Sequence, residues 1–190
     1  MSAPAGTVTP LDPARYRRLP WKNGGGVSVD MAWDRATGGE TWRLGRTPIT
    51  APGPFSDYAG SDRLQVLVAG SGLVLRTPDG EIDVRQPFCP VRFAGETPIV
   101  SHLENGPVEV VNLIGERARV RLALAVLHAG DTLTFGAGRT IAYCPAGPAT
   151  VRLGDGLHEL PDDGGLDIEN LDGTLICTAG IVVVGRVACA

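Results

Sequence analysis

Glycine and proline interrupt this chain so regularly that its apolar segments stay short. Twenty-six glycines and fifteen prolines are spread through 190 residues, and they fall between β-branched and apolar runs instead of forming a low-complexity tract. That is turn chemistry, not disorder. The runs Val27–Met31, Leu64–Val68, Leu73–Leu75, Val108–Asn112, Val120–Leu124, Thr132–Phe135, Thr140–Tyr143 and Leu175–Cys177 read as strands. Only Leu11–Tyr16, after Thr9, offers a helical turn. Many short strands at close spacing predict an all-β chain arranged as a sandwich or barrels, because stacking or closing sheets hides their edges. A strand, turn, strand, Gly-rich loop rhythm occurs in both halves, at Val68–Leu73 and Phe135–Arg139, as two related β-barrels would show.

Composition excludes several classes of function. The chain is 43% hydrophobic and 20% charged with a net charge of −4, so it carries no basic footprint for nucleic acid. Its most apolar run, Ile181–Val184 between Gly180 and Gly185, is far too short to span a membrane. The first twenty residues hold four prolines and a late basic cluster (Arg15, Arg17, Arg18) without an apolar stretch, unlike a secretory signal. A cytoplasmic setting is therefore expected, with Cys89, Cys144, Cys177 and Cys189 as buried free thiols. None of them stands in a C-x-x-C pair.

Four segments carry candidate chemistry. In Pro20–Gly26 an aromatic plate, an ammonium and an amide precede three glycines that can turn with φ > 0 and lie close to something else. Trp21, Lys22, Asn23, Gly24 and Gly25 are thus candidate contacts for a small polar ligand. The alternative is a plain loop whose tryptophan plugs a barrel end. In Thr41–Thr47, strand alternation sets Arg43, Gly45 and Thr47 on one face and Trp42, Leu44 and Arg46 on the other. An arginine beside a glycine and a threonine could grip a carboxylate at two points, or pair with an internal acid such as Asp62 or Glu109. Gly53–Leu64 reads as a tight turn feeding a strand on which Arg63, Gln65 and Leu67 share a face opposite Asp62. Finally, Val110, Asn112 and Ile114 share a face, and an amide among aliphatic groups needs hydrogen-bond partners.

Taken in order, Pro20–Gly26, Trp42-Arg43, Gly53–Ser56 with Gly60 and Asp62-Arg63, Phe93–Glu96, and Asn112 with Arg117 resemble the motifs of the HutD/Ves family. The likeness runs from about Pro20 to Arg117. It departs at Gly45, where a serine is usual, at Arg46, where an apolar residue is common, and after Asn112, where a methionine and a second basic residue are usual. A contact from the serine hydroxyl is therefore absent or taken by water. The resemblance implies a compact bicupin of cupin-type β-barrels: an N-terminal arm at 1–20, a first barrel with a ligand pocket at 21–117 and a smaller second barrel at 118–190, with strand exchange between barrels allowed. It also implies a setting in histidine degradation and a protein that moderates flux by binding an intermediate such as urocanate or a formyl- or formimino-glutamate. The expected partner is a small carboxylate metabolite held by Trp21, Lys22, Asn23, Gly24, Gly25, Arg43, Arg63 and Asn112. Nucleic acid and membrane are not expected partners, and a homodimer is compatible with this reading.

No metal or other cofactor is expected. Metal-dependent cupins set two histidines one residue apart and add a carboxylate, whereas His102, His128 and His158 are each more than twenty residues from the next. No G-x-S-x-G elbow is present either. The competing reading is a metal-independent cupin enzyme, an isomerase or hydrolase acting on a related small acid through Lys22 or a carboxylate such as Glu96 or Glu109. A third is a scaffold or dimerisation module.

Overall fold

A computed structural model describes residues 6–21, 24–34 and 40–190. Nineteen strands and one 3₁₀ turn (Pro13–Arg15) account for the regular structure of these residues. The strands are β1 (Thr7–Leu11), β2 (Arg17–Pro20), β3 (Val27–Trp33), β4 (Trp42–Ile49), β5 (Gly53–Pro54), β6 (Ser61–Ala69), β7 (Leu73–Thr77), β8 (Gly80–Asp83), β9 (Val91–Ala94) and β10 (Val100–Leu103). There follow β11 (Val108–Glu116), β12 (Val120–His128), β13 (Thr132–Phe135), β14 (Arg139–Tyr143), β15 (Ala149–Leu153), β16 (Gly156–Leu160), β17 (Gly165–Glu169), β18 (Gly173–Ala179) and β19 (Ile181–Cys189). Every run read as a strand from the sequence lies within one of these, and the helical turn shrinks to Pro13–Arg15 because Leu11 belongs to β1. No helix among the described residues is long and apolar enough to cross a membrane.

The chain divides into two units, Tyr16–Leu122 with Ala190, and Met1–Arg15 with Ala123–Cys189. In the first, a six-stranded sheet of order β2-β3-β4-β11-β6-β9 faces a four-stranded sheet of order β5-β10-β7-β8. Alternate side chains of the two sheets meet in a core of Ile49, Leu67, Val108 and Val110 against Leu73 and Leu75, closed by Val84, Phe93 and Ile99. In the second, β14, β17 and β19 contribute Ala142, Leu166, Ile168, Val182 and Val184, while β13, β15, β16 and β18 contribute Phe135, Val151, Leu153, Leu160, Leu175 and Cys177. The N-terminal strand β1 pairs antiparallel with β17, Thr7 opposite Glu169 and Leu11 opposite Gly165, so it is an edge strand of this unit's larger sheet. Cys144 and Cys177 are buried, but Cys89 and Cys189 are exposed, because their segments end at the surface.

The six-stranded sheet positions the site. Its strand β11 pairs along its length with both β4 and β6. Arg43 and Arg63 flank Ile114, Gly45 and Gln65 flank Asn112, and Thr47 and Leu67 flank Val110. Strand alternation then turns all of these side chains to the same face. Leu75, wholly buried in the facing sheet, packs this core; truncation to alanine should lower stability by about 2–5 kcal/mol in urea unfolding.

Candidate functional site

A cavity opens at one end of the inner face of the Tyr16–Leu122 unit. Its walls include Trp21, Ser28, Asp30, Arg43, Thr47, Phe55, Tyr58, Arg63 and Asn112. About 40 Å³ within it is open to the centres of water molecules, room for roughly three waters at about 10–15 Å³ each. That is room for a small polar group and a little more.

The loop before β3 supplies one wall. The Trp21 N–H donates to the Gly26 carbonyl and the Gly24 N–H to the Trp21 carbonyl, both at 2.9 Å. Gly24 turns with φ of +73°, and a Cβ on Gly26 would lie 2.9 Å from the Trp21 ring. The permissive turn and the close approach are thus both used, at different glycines of the triplet. The indole Nε1–H donates to Ser28 Oγ at 3.0 Å, and Ser28 Oγ lies 2.9 Å from Thr47 Oγ1. Gly24 and Gly25 are exposed in this turn and are not among the residues lining the cavity. Lys22 and Asn23 fall outside the described residues.

The two arginines that line the cavity differ in their electrostatic surroundings. Arg43 Nη1 donates to Asp30 Oδ1 at 3.0 Å and Nη2 to the Tyr58 hydroxyl at 2.6 Å. Asp30 is wholly buried, and its other oxygen accepts from Arg17 Nη2 at 2.8 Å. Arg17 in turn pairs with Glu40. The internal acid for Arg43 is therefore Asp30, not Asp62 or Glu109, because a bulge in β3 between Asp30 and Ala32 sets Asp30 opposite Gly45. A Cβ at position 45 would lie 2.5 Å from Asp30 Oδ1. The volume that Gly45 leaves open is filled by this carboxylate.

Arg63 is the contrasting case. It is 7% exposed and meets no carboxylate among the described residues. Its guanidinium carbon lies 4.9 Å from the Phe55 ring centre, 5.1 Å from Phe93 and 5.3 Å from Tyr58, an aromatic cage of the kind that holds cations. Nη2 donates to Asn112 Oδ1 at 3.3 Å, which supplies the partner that the buried amide requires. Burial lowers the Arg63 pKa to about 10, and the charge of Arg43 adds to the fall. The side chain stays protonated at neutral pH.

Asp62, on the opposite face of β6, forms a surface clasp instead. It accepts from Arg117 Nε at 2.7 Å and from Arg92, while Arg117 also donates to Glu96 and to the Ser61 carbonyl. Glu109 pairs with Arg46. Neither Glu96 nor Glu109 lines the cavity. Among the described residues no group of three or more His, Cys, Asp or Glu side chains gathers where it could hold a metal ion. His102, His128 and His158 stand on β10, β12 and β16.

Asp30, Tyr58, Phe55, Ser28 and Thr47 join the site without having been singled out from the sequence as contacts. Strand alternation sets Thr47 on the face of Arg43, and Phe55 and Tyr58 lie within the Gly53–Leu64 motif. Asp30 carries a weaker signal, a lone acid in an apolar strand.

Two stacked-sheet units of cupin type, one with an arginine-bearing cavity, place the chain among the cupin-like β proteins. The fold is shared, at a TM-score of 0.58 and 8% identity, with a salicylate 1,2-dioxygenase from Pseudaminobacter salicylatoxidans, over 84% of this chain and 75% of that one. The chain belongs to the HutD family, whose model matches residues 13–180. It is 32% identical over 149 residues to an uncharacterised 21.2 kDa protein of the hutC 3′ region of Pseudomonas putida, covering 73% of this chain and 78% of that one. It is also 26% identical over 146 residues to protein Ves of Citrobacter koseri, covering 74% and 75%. The structure of HutD from Pseudomonas fluorescens SBW25, in a formate condition, superposes with a TM-score of 0.82 at 25% identity over 97% of this chain and all of that one. The family is thereby linked to the histidine-utilisation gene region.

The clasp makes a pH prediction. Burial would raise the Asp62 pKa, but hydrogen bonds from Arg117 and Arg92 hold it below the usual range; Arg117 likewise holds Glu96 down. Such carboxylates stabilise the fold fully above their ordinary pKa of about 4 and lose that contribution as pH falls through the lowered values. Arg117→Ala should therefore lower Tm at pH 7, and the gap to wild type should close in thermal melts as pH falls through the lowered carboxylate values.

Proposed function

We propose that the cavity of the Tyr16–Leu122 unit binds a small carboxylate and that the protein acts in histidine degradation by binding a pathway intermediate rather than converting it. The carrying observation is Arg63, a buried cation on the cavity wall with no carboxylate beside it among the described residues. Burying a charge without a counter-charge is costly, and an arriving carboxylate removes that cost while accepting charge-assisted hydrogen bonds. Arg43, already neutralised by Asp30, positions the Tyr58 hydroxyl and contributes shape more than charge. Trp21, Phe55 and Tyr58 supply flat apolar walls for a planar or short aliphatic body.

The family's link to histidine utilisation narrows the candidates to acids of that pathway, namely urocanate and the formyl- and formimino-glutamates. The aromatic walls suit urocanate best. Turnover is disfavoured because the one wholly buried carboxylate on the cavity, Asp30, has both oxygens engaged by arginines and is not free to reach a ligand's proton. A cytoplasmic location and metal independence accompany this reading.

A thermal-shift panel tests it. At about one hundred times Kd a true ligand should add about 2.7 kcal/mol, a rise of roughly 5–10 °C for a chain of this size. Silence from all three acids at millimolar concentration would remove the pathway reading, and product appearing in an NMR time course would replace binding with catalysis. Arg63→Met should weaken carboxylate binding at least tenfold, about 1.4 kcal/mol, in calorimetric titration. Arg43→Lys should instead lower stability, since one ammonium cannot serve both Asp30 and Tyr58.

A further inference from the structure

Below Arg63 on the same face of β6 lies Gln65, wholly shielded from solvent. Both its amide atoms, Oε1 and Nε2, meet no hydrogen-bond partner among the described residues. Nε of Arg63, two residues earlier on that face, is likewise buried and unmet. Gln65 is not itself on the cavity wall, but its neighbours Asn112, directly across from it in the ladder, and Arg63 are. Beyond Gln65 the core is apolar, with Leu67, Leu73 and Leu75, so a leucine or methionine at 65 would suit the packing better than an amide. Buried side-chain amides without partners are rare and costly. Two neighbouring orphans next to a ligand cavity mark a place where polarity is kept for something else.

We propose that Gln65, just behind the cavity wall, and the Nε–H of Arg63 form a polar subsite that meets a second hydrogen-bonding group of the carboxylate ligand through one water. Same-face neighbours on a strand stand about 7 Å apart, so one small group between them can serve both. The chemistry required is specific. Nε–H of Arg63 and Nε2–H of Gln65 need an acceptor, and Gln65 Oε1 needs a donor. An azole offers one N–H donor and one bare-nitrogen acceptor, so together with one water it can meet all three, whereas an ether or a hydrocarbon ring brings no donor. This inference rests on the carboxylate reading, with Arg63 Nη atoms holding the acid and the subsite selecting its far end.

The test compares urocanate with 3-(2-furyl)acrylate, an acid of the same length and ring size that lacks the N–H donor, by calorimetric titration of wild type, Gln65→Leu and Gln65→Met. Wild type should prefer urocanate by tenfold or more. Both variants should bind the two acids within about twofold of each other, and their unliganded Tm should equal or exceed that of wild type. Retention of the preference in both variants overturns the subsite. So does equal binding of the two acids by wild type, which would leave the carboxylate reading standing. A lowered Tm in both variants with the preference intact would show Gln65 to be a structural amide. Failure of wild type to bind either acid would overturn this inference and leave the carboxylate reading to the formyl- and formimino-glutamates.

Discussion

The double ladder of β11 with β4 and β6 is the constraint on which the site depends. Because β11 is paired on both sides, its register sets which residues of β4 and β6 stand opposite each other, and a shift of one residue would turn every inward side chain outward. The observed register puts Arg43, Ile114 and Arg63 in one row, with Gly45, Asn112 and Gln65 in the next. Two arginines thus reach the same cavity from strands that flank a third. The apolar residues of the core hold this register, since Leu67 and Val110 are buried only when Arg63 and Asn112 also face in.

Bringing two arginines together raises an electrostatic problem that the unit solves unevenly. Around Arg43 the solution is internal. Asp30 lies between Arg17 and Arg43, and Glu40 completes the group, so four charges cancel. Around Arg63 it is only partial. Three aromatic rings and the Asn112 carbonyl soften the burial, but no counter-charge arrives from the described protein, and the lowered pKa records the remaining cost. Among the described residues, one positive charge is left over on the cavity wall. Geometry alone would have suggested two equivalent anchors.

Local order was open to sequence reasoning because it rests on local physics. The period-two alternation of Trp42–Thr47 and Asp62–Leu67 sets the faces of Arg43 and Arg63 whatever they pack against, and the structure keeps both assignments. Glycines at 24 to 26 announced a turn able to lie close to something else, and the structure supplies the neighbour, the Trp21 ring over Gly26. Family membership was legible for the same reason, since the ordered motifs from Pro20 to Arg117 are short local segments. The strands missed, such as β1, β2 and β17, are short or contain proline, glycine and aspartate, whose strand state depends on a partner.

What the sequence by itself determined was the all-β class, the inward faces of the main strands, and the presence of two arginines and an amide able to share a site. Only the tertiary structure decided how those groups are used. Asp30 becomes the partner of Arg43 because a bulge in β3 and the missing Cβ of Gly45 bring its carboxylate there. Asp62 and Glu96 go to the surface clasp with Arg117, more than twenty residues distant from either in sequence. Arg63 keeps its charge unanswered among the described residues because the segments around it, the loop holding Phe55 and Tyr58 with β9 and β11, bring aromatic rings and one amide to that level. Charge pairing follows distance in space, and strand alternation carries no information about which distant strand will arrive opposite.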